Sequence, residues 1–79
     1  MLNVQKLEHE MRVLAEARVD KYAGPDEVLL SKRQAAKVCN RAITWIDSMI
    51  AVGRLPVVRI GPKDWIQRPV VVEMLVNGL

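Results

Sequence analysis

The stretch LLSKRQAAKVCNRAITWIDSMIAVGRLPVVRIGPKDWIQRP, residues 29–69, decides the fold of this 79-residue chain. Ser31 followed three residues later by Gln34 is the capping-box pattern, which predicts that a helix begins at Ser31. Asn40 tolerates the left-handed backbone of a tight turn, so this short helix is expected to end there. Its apolar positions are small residues, including two adjacent alanines, which let another helix approach closely.

A second helix is predicted from Arg41 or Ala42 to Val52, with Gly53 as its cap. A rotation of 100° per residue divides it into two sides. One side holds Ala42, Ile43, Ile46, Met49 and Ile50, and the other holds Arg41, Thr44, Trp45 and Ser48. Two helices joined by a tight turn, the second with a polar outward side, are typical of a helix-turn-helix that enters the DNA major groove. An ordinary helical hairpin has the same spacing, so it remains an alternative interpretation.

The residues after the second helix predict a two-stranded hairpin. Residues 57–60 are rich in β-branched side chains and form the first strand. Gly61-Pro62-Lys63-Asp64 forms the turn, and residues 65–68 form the second strand. Trp65 and Ile66 are assigned to the core, where the hairpin packs on the helices. A basic hairpin directly after a recognition helix is a wing, able to contact phosphates or the neighbouring minor groove.

A closing helix is expected after the hairpin, because Pro69 suits a first helical position. It should run from Val70 to about Val76 and end at residues 77–78, although consecutive valines favour a strand. The fold class predicted for the chain is therefore α+β and mostly α. Its architecture would be a winged helix-turn-helix with a two-stranded wing and an extra N-terminal amphipathic helix.

The N-terminal helix is predicted over residues 2–22 and is stopped by Gly24 and Pro25. Its apolar residues are Val4, Leu7, Met11, Leu14, Ala15, Val19 and Tyr22. The first four of these match alternating a and d positions of two heptads, which are too few to establish a coiled coil. Residues 1–24 are thus interpreted as an oligomerisation or packing element, and residues 28–79 as the winged helix-turn-helix domain.

Charge is distributed unevenly along the chain. Residues 1–29 carry four Lys and Arg against six Asp and Glu, whereas residues 30–79 carry eight against three, a net +5. Such an excess is typical of a module that binds a polyanion, although basic residues scattered over a solvated surface give the same count.

Several functional classes find no support in the composition. Cys39 is the only cysteine, which excludes an internal disulfide. His9 is the only histidine, so Cys and His residues alone cannot form a metal site. No nucleophile beside a base, paired carboxylates or phosphate loop indicates an enzyme, and no cofactor is expected. Asp47 and Asp64 are interpreted as solvated charges. No apolar run is long enough for a membrane span, so a soluble cytoplasmic protein is expected.

The same residues carry a family resemblance. The ordered combination of Ala35-Ala36, Gly53-Arg54-Leu55-Pro56 and Val58-Arg59-Ile60-Gly61 resembles the winged-helix DNA-binding domains of the MerR-like excisionase superfamily. Within it, the short length and the segment MIAVGRLPVV are most similar to the Cox proteins of temperate bacteriophages. The resemblance implies a recombination directionality factor in a bacterial host cell. It would bend double-stranded DNA for a phage integrase and repress a lysogenic promoter.

Candidate site residues follow from the pattern and the resemblance together. The expected DNA contacts are Lys32, Arg33, Arg41, Thr44, Trp45, Ser48, Arg54, Arg59, Lys63 and Arg68. The expected oligomerisation contacts are Val4, Leu7, Met11 and Leu14, which would join a dimer or larger homo-oligomer. Arg41 is a guanine or phosphate ligand in this interpretation, and Trp45 has the alternative of packing beneath the wing. Removing residues 1–22 is expected to abolish cooperative binding and to leave single-site binding.

Two rival functions fit the same sequence. A plain transcriptional regulator would bind DNA without any effect on an integrase. A protein-interaction adaptor would use the amphipathic N-terminal helix to bind a partner, and its basic half would be a solvated surface.

Overall fold

The computed structural model describes residues 4–77, with side chains from residue 6 onward. Within this range the chain forms four helices and three strands, which confirms the predicted α+β and mostly helical class. The elements are α1 Val4–Tyr22, β1 Leu29–Ser31, α2 Lys32–Cys39, α3 Ile43–Ala51, β2 Val58–Ile60, β3 Lys63–Gln67 and α4 Arg68–Val76.

The predicted caps of α2 are confirmed. The Ser31 hydroxyl accepts a hydrogen bond from the Gln34 backbone N–H at 3.1 Å, and the Gln34 side chain accepts one from the Ser31 N–H at 2.9 Å. At the other end Asn40 adopts the left-handed conformation, with φ 55°. Because both ends are fixed by local chemistry, the direction in which the chain enters α3 is also fixed.

Helix α3 is slightly shorter than predicted. It begins at Ile43, with Ala42 as an N-cap that makes no side-chain hydrogen bond, and it ends at Ala51. Gly53 follows with φ 77°, as expected for the glycine that ends a helix. Ile46 is fully buried, whereas Ile43 lies partly exposed at the start of the helix.

The sheet has three strands, because β1 pairs with the predicted hairpin of β2 and β3 and extends it. The strand order is β1-β3-β2, and both pairs are antiparallel. Leu30 pairs with Ile66 across β1 and β3, and Arg59 pairs with Asp64 across β2 and β3. The three residues of β1 are too few for a strand period to show in the sequence, and their pairing partner lies far along the chain.

The hairpin turn is also tighter than predicted. Ile60 pairs with Lys63, so only Gly61 and Pro62 connect the strands, and Lys63 and Asp64 belong to β3. Gly61 has φ 61°, the conformation that a type II′ turn requires at its first central position. The turn therefore holds the Lys63 backbone in the sheet.

The core lies between the sheet and the four helices. Leu30, Ile46 and Ile66 are its largest fully buried side chains. The other buried members are Ala15, Val19, Ala23, Ala35, Ala36, Val38, Leu55, Val71, Val72 and Met74. The assignment of Ile66 to the core is confirmed, whereas Trp65 is only half-buried.

Helix α4 is confirmed and begins at Arg68, two residues before the expected Val70, with Pro69 in its first turn. Val71 and Val72 are buried in the core, and this tertiary packing outweighs the strand preference of consecutive valines. Asn77 is the C-cap, and the predicted end at Gly78 lies outside the described residues.

Helix α1 is divided between the core and the solvent. Its C-terminal half packs against α4, and Ala15 and Val19 are buried there. Leu7, Met11 and Leu14 lie in the preceding turns and are exposed. Over residues 4–77, no helix combines the length and the apolar character that crossing a membrane requires.

Candidate nucleic-acid interface

A groove lies where the start of α2, the start of α3 and the hairpin turn meet. It has a volume of about 450 Å³ and is called the hairpin groove below. Its lining residues are Ser31, Lys32, Arg33, Ile43, Pro62, Lys63, Asp64 and Trp65. Three of the predicted DNA-binding cations thus lie on one concave surface, Lys32 and Arg33 from the start of α2 and Lys63 from the start of β3.

Lys32 is held inside a charge network at this groove. Its ammonium lies 2.8 Å from a carboxylate oxygen of Asp47 on α3 and 3.8 Å from one of Asp64 on β3. The pKa of Lys32 is raised, first because its ammonium hydrogen-bonds to Asp47 and then because both carboxylates attract its charge. Asp47 and Asp64 are therefore ion-paired, which corrects their interpretation as simple solvated charges. The sequence could not show that three elements converge there.

Arg33 and Lys63 are exposed cations of the hairpin groove. Among residues 6–77 neither side chain forms an ion pair or a hydrogen bond. Arg33 lies in the first turn of α2, where the helix dipole disfavours a positive charge. An anion bound in the groove would relieve this unfavourable placement.

The outward side of α3 is polar and exposed, and it carries Thr44, Asp47 and Ser48. The Ser48 hydroxyl donates a hydrogen bond to the Thr44 carbonyl at 2.9 Å, so its proton is used within the helix. Asp47 on this face is ion-paired, whereas the hydroxyl oxygens of Thr44 and Ser48 stay accessible to a ligand. Of the predicted polar side, Arg41, Thr44 and Ser48 are exposed and Trp45 is half-buried, and Asp47 is exposed beside them.

Arg41 and Trp45 form a stacked pair at the start of α3. The Arg41 guanidinium carbon lies 4.9 Å from the centre of the Trp45 ring, within the range of a cation–π interaction. Trp45 is half-buried against the core, as in the alternative interpretation of packing, while Arg41 is exposed. The stacking restrains the guanidinium at the edge of the outward side of α3.

Two further predicted DNA contacts, Arg54 and Arg59, lie on different parts of the surface. Arg59 is 73% exposed, and its Nε lies 3.8 Å from an Asp64 carboxylate oxygen. Arg54 lines a different groove, together with Pro69 and Glu73 of α4. Arg54 is therefore not brought together with the cations of the hairpin groove.

Arg68, one of the predicted DNA contacts, is engaged within the protein. Its guanidinium donates hydrogen bonds to the carbonyls of Gly24 and Glu27, at 3.0 and 3.1 Å, and pairs with the Asp20 carboxylate. The side chain is only 17% exposed. Because Arg68 starts α4 instead of ending an outward-facing strand, it joins α4 to the end of α1 and the following loop.

The predicted oligomerisation residues form an exposed apolar stripe. Leu7, Met11 and Leu14 are 41%, 44% and 70% exposed, and Val13 beside them is 51% exposed. Val4 belongs to the same predicted seam, but its side chain lies outside the described part of the chain. The stripe is available for a contact with another molecule.

No cluster of His, Cys, Asp and Glu in the described part of the chain is arranged to hold a metal ion. Cys39 is half-buried at the end of α2, and burial raises the pKa of its thiol. A raised pKa keeps the thiol protonated and weakly nucleophilic.

Ile43, Asp47 and Asp64 are among the residues of this surface that pattern analysis did not assign to the site. Helical spacing offered a signal for Asp47, since it lies three residues after Thr44 and beside Ser48. Asp64 had no such signal, because its proximity to Lys32 depends on the pairing of β1 with β3.

Comparisons of the chain with protein-family models, with curated proteins and with solved structures found no match. The resemblance to the excisionase superfamily therefore stays a prediction that rests on the residues quoted for it.

Proposed function

We propose that this chain binds double-stranded DNA sequence-specifically, with the outward side of α3 in the major groove and with Arg33 and Lys63 of the hairpin groove on backbone phosphates. The observation that carries the proposal is the convergence of Lys32, Arg33 and Lys63 on one groove next to the exposed polar side of α3. A helix with polar side chains beside a basic groove matches the division between base contacts and phosphate contacts in DNA-binding domains.

Each contact type has its own residues in this proposal. Arg33 and Lys63 bind phosphates, because they are exposed cations without intramolecular partners in the described structure. Thr44 and Ser48 face the base edges, and the stacked Arg41 reaches guanine or an adjacent phosphate. Lys32 acts mainly inside the protein, because its ammonium is engaged by Asp47 and Asp64.

The charge distribution supports the same proposal. Residues 30–79 carry eight Lys and Arg against three Asp and Glu. Because DNA binding by such a surface releases counterions, its affinity would fall steeply with salt concentration.

The more specific role we propose is that of a phage recombination directionality factor which bends DNA for an integrase and represses a lysogenic promoter. This role rests on the resemblance of residues 29–76 to excisionases. Bending a site of 20 to 30 base pairs costs about 1–6 kcal/mol, which several cooperating copies could offset more easily than one small domain. A plain transcriptional regulator is the alternative, since it would use the same DNA-binding surface.

The exposed stripe on α1 supports association between copies. Leu7, Met11 and Leu14 lie on a helix face that this protomer leaves uncovered. We propose that a second copy on an adjacent DNA site covers it. The same stripe favours the adaptor alternative, in which a different protein occupies it and the basic half binds nothing.

Replacing Lys63 by glutamine is expected to weaken DNA binding to a similar extent for all sequences. The reason is that a phosphate contact carries no sequence information. The slope of log K against log salt concentration should become shallower by about 0.9 if Lys63 contacts one phosphate. Fluorescence anisotropy titrations of a labelled duplex over a series of salt concentrations would measure both effects.

Lys21→Gln is the matched control for Lys63→Gln. Lys21 is also an exposed lysine, but it lies in the last turn of α1, and its loss changes the net charge equally. An equal change of slope in the two variants would show that only net charge matters, and would contradict a phosphate contact at Lys63.

Replacing Leu14 by glutamate is expected to abolish cooperative binding to adjacent sites while the affinity for one isolated site changes little. Leu14 is 70% exposed, so glutamate is tolerated in the folded monomer but would place a charge in the contact with the second copy. Gel-shift titrations of duplexes with one and with two sites would yield the cooperativity factor. Val28→Glu is the control, because Val28 is equally exposed, at 69%, and lies outside the stripe.

Selection of DNA fragments from the source genome by the purified chain at physiological salt tests the proposed function directly. Enriched direct repeats about one helical turn apart, near an attachment site, would support the cooperative excisionase role. One enriched promoter site without an effect on excision would favour the plain regulator. No enrichment over bulk DNA would contradict sequence-specific DNA binding, and the adaptor alternative would then take precedence.

A further inference from the structure

Asp47 is an anionic side chain on the very side of α3 that the proposed function places against DNA. Its carboxylate is 49% exposed and lies beside Thr44 and Ser48 on the outward side. A carboxylate facing phosphates is repelled, so its presence at this position would weaken DNA binding unless it meets a hydrogen-bond donor. In the major groove such donors are the exocyclic amino groups of cytosine and adenine.

The carboxylate is restrained from inside the protein. One Asp47 oxygen lies 2.8 Å from the Lys32 ammonium, which also lies 3.8 Å from an Asp64 oxygen on β3. Lys32 thus ties α3 to the first turn of α2 and to the hairpin. A restrained side chain loses less conformational entropy when it binds a ligand, so its position is suited to reading a base edge.

The neighbouring groups add to the acceptor character of this face. A carboxylate can only accept hydrogen bonds. Ser48 donates its hydroxyl proton to the Thr44 carbonyl, so its oxygen also presents lone pairs outward. Carboxylate side chains pair with the cytosine N4 amino group in the major groove, whereas the usual partners of adenine are Asn and Gln.

We infer that Asp47 is a specificity-determining residue, whose carboxylate accepts a hydrogen bond from the N4 amino group of a cytosine while Lys32 holds it in place. This inference rests on the proposed function, because it assumes that α3 enters the major groove. Asp47 reads one base pair, and Lys32 is a positioning residue for it.

Selection from a randomised duplex library compares the wild-type chain with Asp47→Ala and Asp47→Asn. The wild type is expected to prefer cytosine at one position by about 5- to 150-fold over other bases, the usual cost of one mismatched base pair, and Asp47→Ala to reduce this preference to about twofold. Preferences at the other positions should persist. Asp47→Asn should shift the preference at this position from cytosine towards adenine, because an amide both donates and accepts.

Asp26→Ala is the control, since Asp26 is an exposed carboxylate in the loop after α1 and changes the net charge equally. It should select the same sites as the wild type. Identical preferences in Asp47→Ala and the wild type would overturn the inference, as would a uniform gain in affinity for all sequences. In both cases wild-type binding would leave the proposed function intact. Failure of the wild type to enrich any duplex would overturn the proposed function and the inference together.

Discussion

A chain shortened to residues 23–79 is expected to lose cooperative folding. Val19, with no exposed surface, and Ala15 belong to the core, and α1 is the helix against which α4 packs. Removing α1 would expose apolar side chains of α4. Each buried side chain that is lost or uncovered lowers the free energy of unfolding by about 1.5–3 kcal/mol, so the total loss should be at least about 5 kcal/mol. A domain of this size has a total stability of about 4–12 kcal/mol. Urea titration followed by circular dichroism would measure the loss.

A chain that starts at Met11 is the matched comparison, because it keeps Ala15 and Val19 and removes only part of the exposed half of α1. It is expected to unfold cooperatively at a urea midpoint close to that of the full chain. Cooperative unfolding of residues 23–79 at an unchanged midpoint would contradict a structural role for α1. The sequence alone predicted that deleting residues 1–22 leaves single-site binding intact. Because α1 contributes to the core, we expect instead that the shortened chain unfolds and loses the DNA-binding surface with its fold.

Local chemistry made part of the fold predictable. The capping box at Ser31 and Gln34, the left-handed Asn40, and glycines at Gly53 and Gly61 each act over a few residues, so the sequence shows them directly. Together with Gly24 and Pro25 after α1 and Pro69 at the start of α4, such local signals explain why the bounds of α1, α2 and α4 agree with the prediction to within one or two residues over the described range.

Long-range pairing was not predictable in the same way. Strand β1 has three residues and exists because Leu30 lies opposite Ile66, which no local pattern indicates. The candidate site shows the same difference. The cations were evident from composition and spacing, but the engagement of Lys32 by Asp47 and Asp64 depends on how α2, α3 and β3 are arranged.

Replacing Arg68 by leucine is expected to lower the free energy of unfolding by about 2–3 kcal/mol. The sequence alone predicted that Arg68 contacts DNA, and the structure shows that its side chain is engaged within the protein. The guanidinium joins the start of α4 to Gly24, Glu27 and Asp20, and leucine can make none of these hydrogen bonds. The estimate allows for the partial exposure of Asp20, which weakens that ion pair. Urea denaturation of the purified variant would measure the change.

Arg59→Leu separates a structural role from a DNA-binding role, because it removes the same group from a side chain that is 73% exposed. Its stability should stay within about 0.5 kcal/mol of the wild type, while its DNA affinity falls if Arg59 contacts a phosphate. Arg68→Lys should restore only part of the stability lost in Arg68→Leu, since an ammonium keeps the charge but lacks the planar fork that reaches two carbonyls and a carboxylate. If Arg68→Leu were as stable as Arg59→Leu and lost more DNA affinity, Arg68 would belong to the DNA-binding surface, as its sequence context alone predicts.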